Sequence, residues 1–473
     1  MKIHATNLLV GQEWQTDCRV TCCNGRISAI ETGVAPVEGD YHVDTLLPAL
    51  ANLHSHSFQR AMAGMTEFRA AGRESFWTWR TLMYRFLDCL TPEQIEAIAA
   101  LVFLEMQEAG YAAVGEFHYV HHQSNGTPYT VLSELSDRIF AAADQTGIGL
   151  THLPVLYTYG GVNQDQLSGG QFRFFNDVDR FCDLVDACKG NLSHLPLDAQ
   201  VGIAPHSLRA TSPANLASVL TAQPEGPVHI HIAEQLKEVA DVEGKLGARP
   251  VAWLLDNTEV DHRWCLIHAT HMTETETMAL AQSGAVAGLC PITEANLGDG
   301  PFNGPTYLLS GGSFGVGSDS NVRISLTEEL RTLEYSQRLR DFERNVMVVN
   351  EGSVGQSLYT KAATGGAQAL NRDAGIIEVG KLADLVAIDT RKPALCTLRT
   401  GQILDGLCFV ASDQVVTDTW SAGRHCVKDG RHVVRDEIVT RYTSEPPRFY
   451  RRVKHSKGEP MTKRSHTPAY PAE

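Results

Sequence analysis

Short apolar segments recur along the chain, most of them ending in histidine or another polar residue: TLLPALANLH, AAVGEFHY, GLTHLPVLY, QVGIAPHS, PVHIHIAE, RWCLIHA, GAVAGLC and SFGVGSD. Between them lie stretches such as PEQIEAIAALVFLEMQEAG and ELSDRIFAAADQTG, apolar at every third or fourth position and closed by glycine. That spacing is one face of a helix, and the glycine suits a left-handed C-terminal cap. Alternating strands and helices predict parallel strands joined by right-handed crossovers. Eight of them predict an α/β fold, a (β/α)8 TIM-like barrel with its chemistry at the C-terminal ends of the strands.

The two ends of the chain read differently. Up to about residue 45, apolar and polar positions alternate around Asn24-Gly25, which predicts a hairpin and a small antiparallel unit. Beyond about residue 375, GIIEVGKLADLVAIDT and DQVVTDTWSAGRHCVKDGRHV return to strands and turns. The two ends are expected to pair as one discontinuous β domain, residues 1–47 with 376–444, beside a barrel over 48–375. Residues 445–473 are basic, rich in proline and poor in aliphatics, which is the composition of a disordered tail.

Composition narrows the classes of function. A net charge of -15 opposes general binding to nucleic acid or anionic lipid, both polyanions. The first residues lack a basic segment followed by an apolar one, and no run of about 20 apolar residues is present, so a cytoplasmic protein with no membrane span is expected. The 11 cysteines are scattered. Cys18, Cys22 and Cys23 are close together, but no second cluster completes a zinc-site spacing.

The histidines carry the chemistry. Residues two apart on a strand face the same side, so His54 and His56 can grip one ion. Alone the pair says little: with 19 histidines in 473 residues, chance supplies about one His-x-His, and His229/His231 is another. Position adds to it. His54 and His56 end the first predicted barrel strand, His231 the fifth, His268 the sixth and Asp319 the eighth. Imidazole and carboxylate together suit zinc or a similar divalent ion with one coordination position left for water. His229 faces the same way as His231 on a regular strand and is the weaker candidate.

With those motifs placed, the chain resembles the amidohydrolase superfamily over nearly its whole length, through HSH on the first strand, HIHIAE, LIHAT, GSDS and the closing GIIEVGKLADLVAID. Within it, NLHSHSFQRAMAGMTE, SFWTWRTLMYR, EFHYVHH, HSLRA, TEANLGDG and GVGSDSNV resemble the N-formimino-L-glutamate deiminase family. The resemblance implies a barrel with a small β-sandwich, a homodimer, and one divalent metal, zinc as the expected ion, on His54, His56, His231 and Asp319. It implies a small substrate bearing carboxylates and a formimino group, bound by Gln59, Arg80, Tyr119, His206 and Arg209. A carbamylated lysine bridging two ions is not expected, since the only lysine between Tyr157 and His231 is Lys189, in a helix-like region.

Glu234 reads either as a carboxylate at a helix N-terminus or as a proton shuttle to the amidine nitrogen. His268 and Asp319 are expected to take or orient a water proton. Phe76, Trp77 and Trp79 read as packing rather than ligand contacts. Two alternatives stand beside hydrolytic deimination: an amidohydrolase-type deaminase of a purine, pterin or triazine, and a barrel scaffold without catalysis.

Overall fold

A computed structural model describes residues 1–67 and 76–444, so the tail expected from residue 445 lies outside the described residues. Its strands fall into three sheets. The largest joins β1 (Lys2–Val10), β2 (Glu13–Cys23), β3 (Arg26–Glu31) and β4 (Tyr41–Pro48) to four strands from the other end of the chain. The middle of the chain supplies two parallel sheets. One holds β5 (Leu50–Ser55), β6 (Tyr111–His118), β7 (Gly149–Leu156), β8 (Gln200–Val201) and β9 (Ala204–Pro205). The other holds β10 (Val228–Ile232), β11 (Trp264–His268), β12 (Val286–Leu289) and β13 (Ser313–Val316). The C-terminal strands of the large sheet are β14 (Leu385–Ile388), β15 (Val416–Ser421), β16 (Arg424–Lys428) and β17 (Arg431–His432).

Local signals place most elements where the pattern put them. Thr91 caps the helix Pro92–Glu108 with a reciprocal capping box to Gln94, and Gly147 (φ 71) ends the helix Glu134–Thr146 in the left-handed conformation. Asn24 (φ 49) and Gly25 (φ 78) turn β2 into β3, as that dipeptide predicts. The parallel strands are buried on both faces, which is why they read as continuous apolar runs.

Two features depart from the expected layout. The N-terminal unit is not purely antiparallel, because β1 pairs with β4 in parallel. The fourth predicted strand, QVGIAPHS, is broken into β8 and β9, with Ile203 bridging to Val228 of β10. The two ends of the chain share one sheet, β14 lying between β4 and β15. Its apolar face is filled from both ends, by Ile3, Leu8, Val20, Leu46, Leu385 and Trp420. Arg372 fastens this sheet to the central strands: it donates to Asp384 ahead of β14 and, at 2.8 Å, to Asp198 ahead of β8, while Arg424 of β16 holds Asp198 from the other side. Among the described residues no helix is long and apolar enough to cross a membrane.

Candidate metal centre and substrate pocket

At the C-terminal ends of the central strands, His54, His56, His231 and Asp319 bring one ligand atom each within 4.8 Å of all the others. Nε2 of His54 lies 3.1 Å from Nε2 of His231, and Oδ1 of Asp319 lies 3.5 Å from His54 Nε2 and 3.3 Å from His56 Nε2. The backbone fixes this approach. Asp319 donates its N–H to His54 O and accepts from His56 N–H, both at 2.9 Å, so β5 and the loop after β13 are stitched together at the site. Gly317 makes the contact sterically feasible, since a Cβ there would lie 2.7 Å from His54 backbone atoms.

The chemistry of these donors fits a divalent cation. His56 Nδ1 donates to Phe117 O at 2.9 Å and His231 Nδ1 to His206 O at 3.1 Å, which leaves each Nε2 as a lone pair turned toward the cluster. Burial pushes all three rings down, His54 to about 3, so they are neutral at neutral pH. Burial alone would raise Asp319, but its contacts with His54 and His56 hold it below the usual carboxylate range. The lone pairs of His56 and His231 and a buried carboxylate, all turned to one point, are costly without a cation among them.

Beside this cluster, Glu234 and His268 face one another, with His268 Nε2 3.9 Å from Glu234 Oε1. Burial raises the Glu234 carboxyl, against the pull of the nearby His268 and Arg209 cations. Burial would lower His268, and the Glu234, Glu294 and Asp319 carboxylates reverse that and raise it. Glu238 reaches back to accept from the N–H groups of Ala233 (3.2 Å) and Glu234 (3.0 Å), fixing the turn between His231 and the helix Leu236–Leu246. Ala233 (φ 52), His268 (φ 69) and Asp319 (φ 44) all sit in the left-handed region, a strained setting for non-glycine residues that such ties sustain.

The pocket above these groups is lined by all five expected substrate residues, Gln59, Arg80, Tyr119, His206 and Arg209. Gln59 Nε2 donates to the Tyr119 hydroxyl at 2.6 Å, and Gln59 Oε1 has no partner although buried. His206 bonds Ser207 Oγ at 3.0 Å. Arg209 is 8% exposed, and its Nε finds no partner. Phe76 and Trp79 line the pocket, so these aromatics, expected as packing, also form its wall, while Trp77 packs against both arginines. His229 stays outside, its Nε2 bonded to Ala369 O at 2.8 Å. Lys189 lies in the helix Val178–Asn191 and donates to Gln223, away from the cluster.

Sequence reasoning passed over the buried acids Glu116, Glu238, Glu294 and Asp299. Glu116, pushed up to about 7 by burial, accepts from both N–H and Oγ of Ser57 and so braces the turn after His56. Glu238 carries a local signal, lying four residues after Glu234 on a helix start; the others carry none.

The arrangement is that of the amidohydrolase family, and the chain belongs to it: residues 45–426 match the family model. At 49% identity, over 82% of this chain and 85% of the other, it is similar to the formimidoylglutamate deiminase of Pseudomonas aeruginosa. Among solved structures it is similar to an amidohydrolase from Brucella melitensis, with a TM-score of 0.90 and 47% identity, covering 94% of this chain and 98% of that one. An adenosine deaminase from Xanthomonas campestris with bound zinc shares the fold at a TM-score of 0.79 and 22% identity, covering 96% and 98% of the two chains.

Proposed function

We propose that this chain is a hydrolase acting on a carbon–nitrogen bond of a linear amidine, converting N-formimino-L-glutamate and water to N-formyl-L-glutamate and ammonia. The observation that carries the reading is the pairing, in one pocket, of a three-histidine, one-aspartate cluster with two guanidinium groups. The curated relative with 49% identity supports the same substrate.

One divalent ion, zinc by its donor set, would be held by His54, His56, His231 and Asp319. When bound it would acidify a water and polarise the carbon–nitrogen double bond. Arg80 and Arg209 bind the two carboxylates of the substrate, for which planar guanidinium forks are suited. Tyr119, Gln59 and His206 orient the substrate as neutral partners. Glu234 takes a proton from the attacking water and delivers it to the departing nitrogen, a role its raised affinity for protons suits. His268 and the free edge of Asp319 orient that water.

In this reading the two parallel sheets form one closed eight-stranded barrel, supported by the bridges Ser55 to Asp319 and Ile203 to Val228 at its two seams. The shared terminal sheet, with its separate apolar core, is read as a small sandwich. A cytoplasmic setting is supported by 11 cysteines that are all free thiols.

Ammonia release across N-formimino-L-glutamate, N-formimino-L-aspartate and a panel of heterocyclic amines tests the assignment. Preference for the formimino dicarboxylates is expected. Turnover of a purine, pterin or triazine with none of the linear amidine would replace the proposed substrate by a heterocycle.

A further inference from the structure

Glu294 lies in the helix Pro291–Leu297, outside the groups given a role above, and is 5% exposed. Its Oε1 stands 3.2 Å from His268 Nδ1 and accepts the backbone N–H of Cys290 at 3.0 Å. The opposite edge of the same imidazole, Nε2, faces Glu234. A carboxylate only accepts, so the proton of the Glu294 contact sits on Nδ1. That holds the ring in one orientation and so sets the direction of Nε2, which is the edge turned to the pocket. The ring also stacks on His231, with centroids 5.6 Å apart and planes 18° from parallel.

We propose that Glu294 is a positioning residue: it acts through His268, accepting the Nδ1 hydrogen bond and keeping Nε2 aimed at the reacting groups. The proposal rests on the deiminase reading for the substrate used to test it. The competing role for Glu294 is local, tying the start of its own helix through Cys290 N–H. Because both N–H donors converge on one oxygen, glutamine at this position keeps its carbonyl oxygen there and still accepts from Nδ1. Leucine has a similar shape and accepts nothing.

The test is a double-variant cycle in zinc-loaded protein, with ammonia release from N-formimino-L-glutamate as the readout and metal content checked for each variant. Glu294→Leu should lower kcat roughly 10- to 100-fold, the size of effect seen when the partner of a positioned histidine is removed. KM should move by less than about threefold, and Glu294→Gln should stay within about fivefold of the parent. In a His268→Asn background, Glu294→Leu should cost less than about twofold, because the group it acts through is gone. An equal cost in both backgrounds, no cost in the parent, or a glutamine variant as impaired as the leucine one overturns the proposal. If the parent turns over only a heterocyclic amine, the substrate reading fails, and the same ratios measured on that amine decide the role of Glu294. A readout without turnover is the Nδ1–H resonance of His268 in histidine-labelled protein. It should be lost in His268→Asn and in Glu294→Leu, and its persistence in Glu294→Leu overturns the proposal.

Discussion

The guanidinium groups of Arg80 and Arg209 share a single indole. Cζ of Arg80 lies 4.6 Å from the Trp77 ring centroid and Cζ of Arg209 lies 5.9 Å from it. Two like charges held close by one aromatic ring call for anions to separate them, and a molecule with two carboxylates supplies both.

Replacing either arginine by methionine keeps much of the stem and deletes the fork. Each variant should lose about 2–4 kcal/mol of transition-state binding, or about 30- to 1000-fold in kcat/KM. Arg209→Met should be the worse of the two, since Arg209 is buried with its Nε unpartnered while Arg80 is half-buried. The loss should be larger for N-formimino-L-glutamate than for an uncharged formamidine. Equal losses on both substrates would mean that the arginines support the fold and clamp nothing.

Glu234→Gln preserves shape and removes the titrating group. Because Glu238 fixes the Glu234 backbone rather than its carboxylate, the turn should stay intact. We expect kcat to fall by ~100-fold or more with metal content near that of the parent. Turnover at the parental rate would return Glu234 to the part of an ordinary carboxylate at a helix start.

Removing the metal should abolish activity, and about one equivalent of zinc should restore it. The chelated protein should also unfold at lower temperature, because an ion bound only by the folded chain stabilises it. Elemental analysis together with calorimetry checks both. Two tightly held ions per active chain would contradict a reading in which one ion sits on His54, His56, His231 and Asp319.

Asp198 gives an acid limit to stability away from the pocket. Burial alone would raise its carboxyl, but Arg424 and Arg372 hold it down at about 2, below the ordinary 3.8. Such a group stabilises the folded state fully above its unfolded pKa, and that contribution disappears as pH falls from about 4 through about 2. The shift corresponds to roughly 2 kcal/mol. Asp198→Asn should therefore lower stability at pH 7 by about that amount, since it removes the carboxylate that Arg372 and Arg424 share, and should flatten the acid limb of the stability curve. Denaturant midpoints of both proteins from pH 7 to pH 3 test this, and parallel acid limbs would count against it.

What was legible in the chain follows from how local each signal is. His54, His56, His231 and His268 end short apolar runs, so strand periodicity alone brings them to one end of the sheets. The substrate residues were named only through resemblance, because nothing local distinguishes Arg80 in a helix from a solvated arginine. His229 and His231 have identical spacing credentials, and only the tertiary contact of His229 with Ala369 O separates them. Glu294 in PITEANL carries no local signal, and its burial depends on the tertiary contact with His268 at the end of β11. The two ends were expected to pair, but periodicity offers no signal for which strands meet, neither for the parallel pairing of β1 with β4 nor for that of β14 with β4.

That last pairing has a consequence for biosynthesis. Strand β4 cannot acquire its second neighbour until residues 385–388 exist, more than 300 residues later in the order of translation. Until then the first strands emerging from the ribosome present the open edge of β4, the kind that pairs with other chains. The nascent N-terminus must therefore wait, shielded or solvated, through synthesis of the whole catalytic region. A chain terminated before Leu385 would keep every proposed ligand of the metal yet leave one edge of β4 without a partner, and such a product should aggregate rather than work.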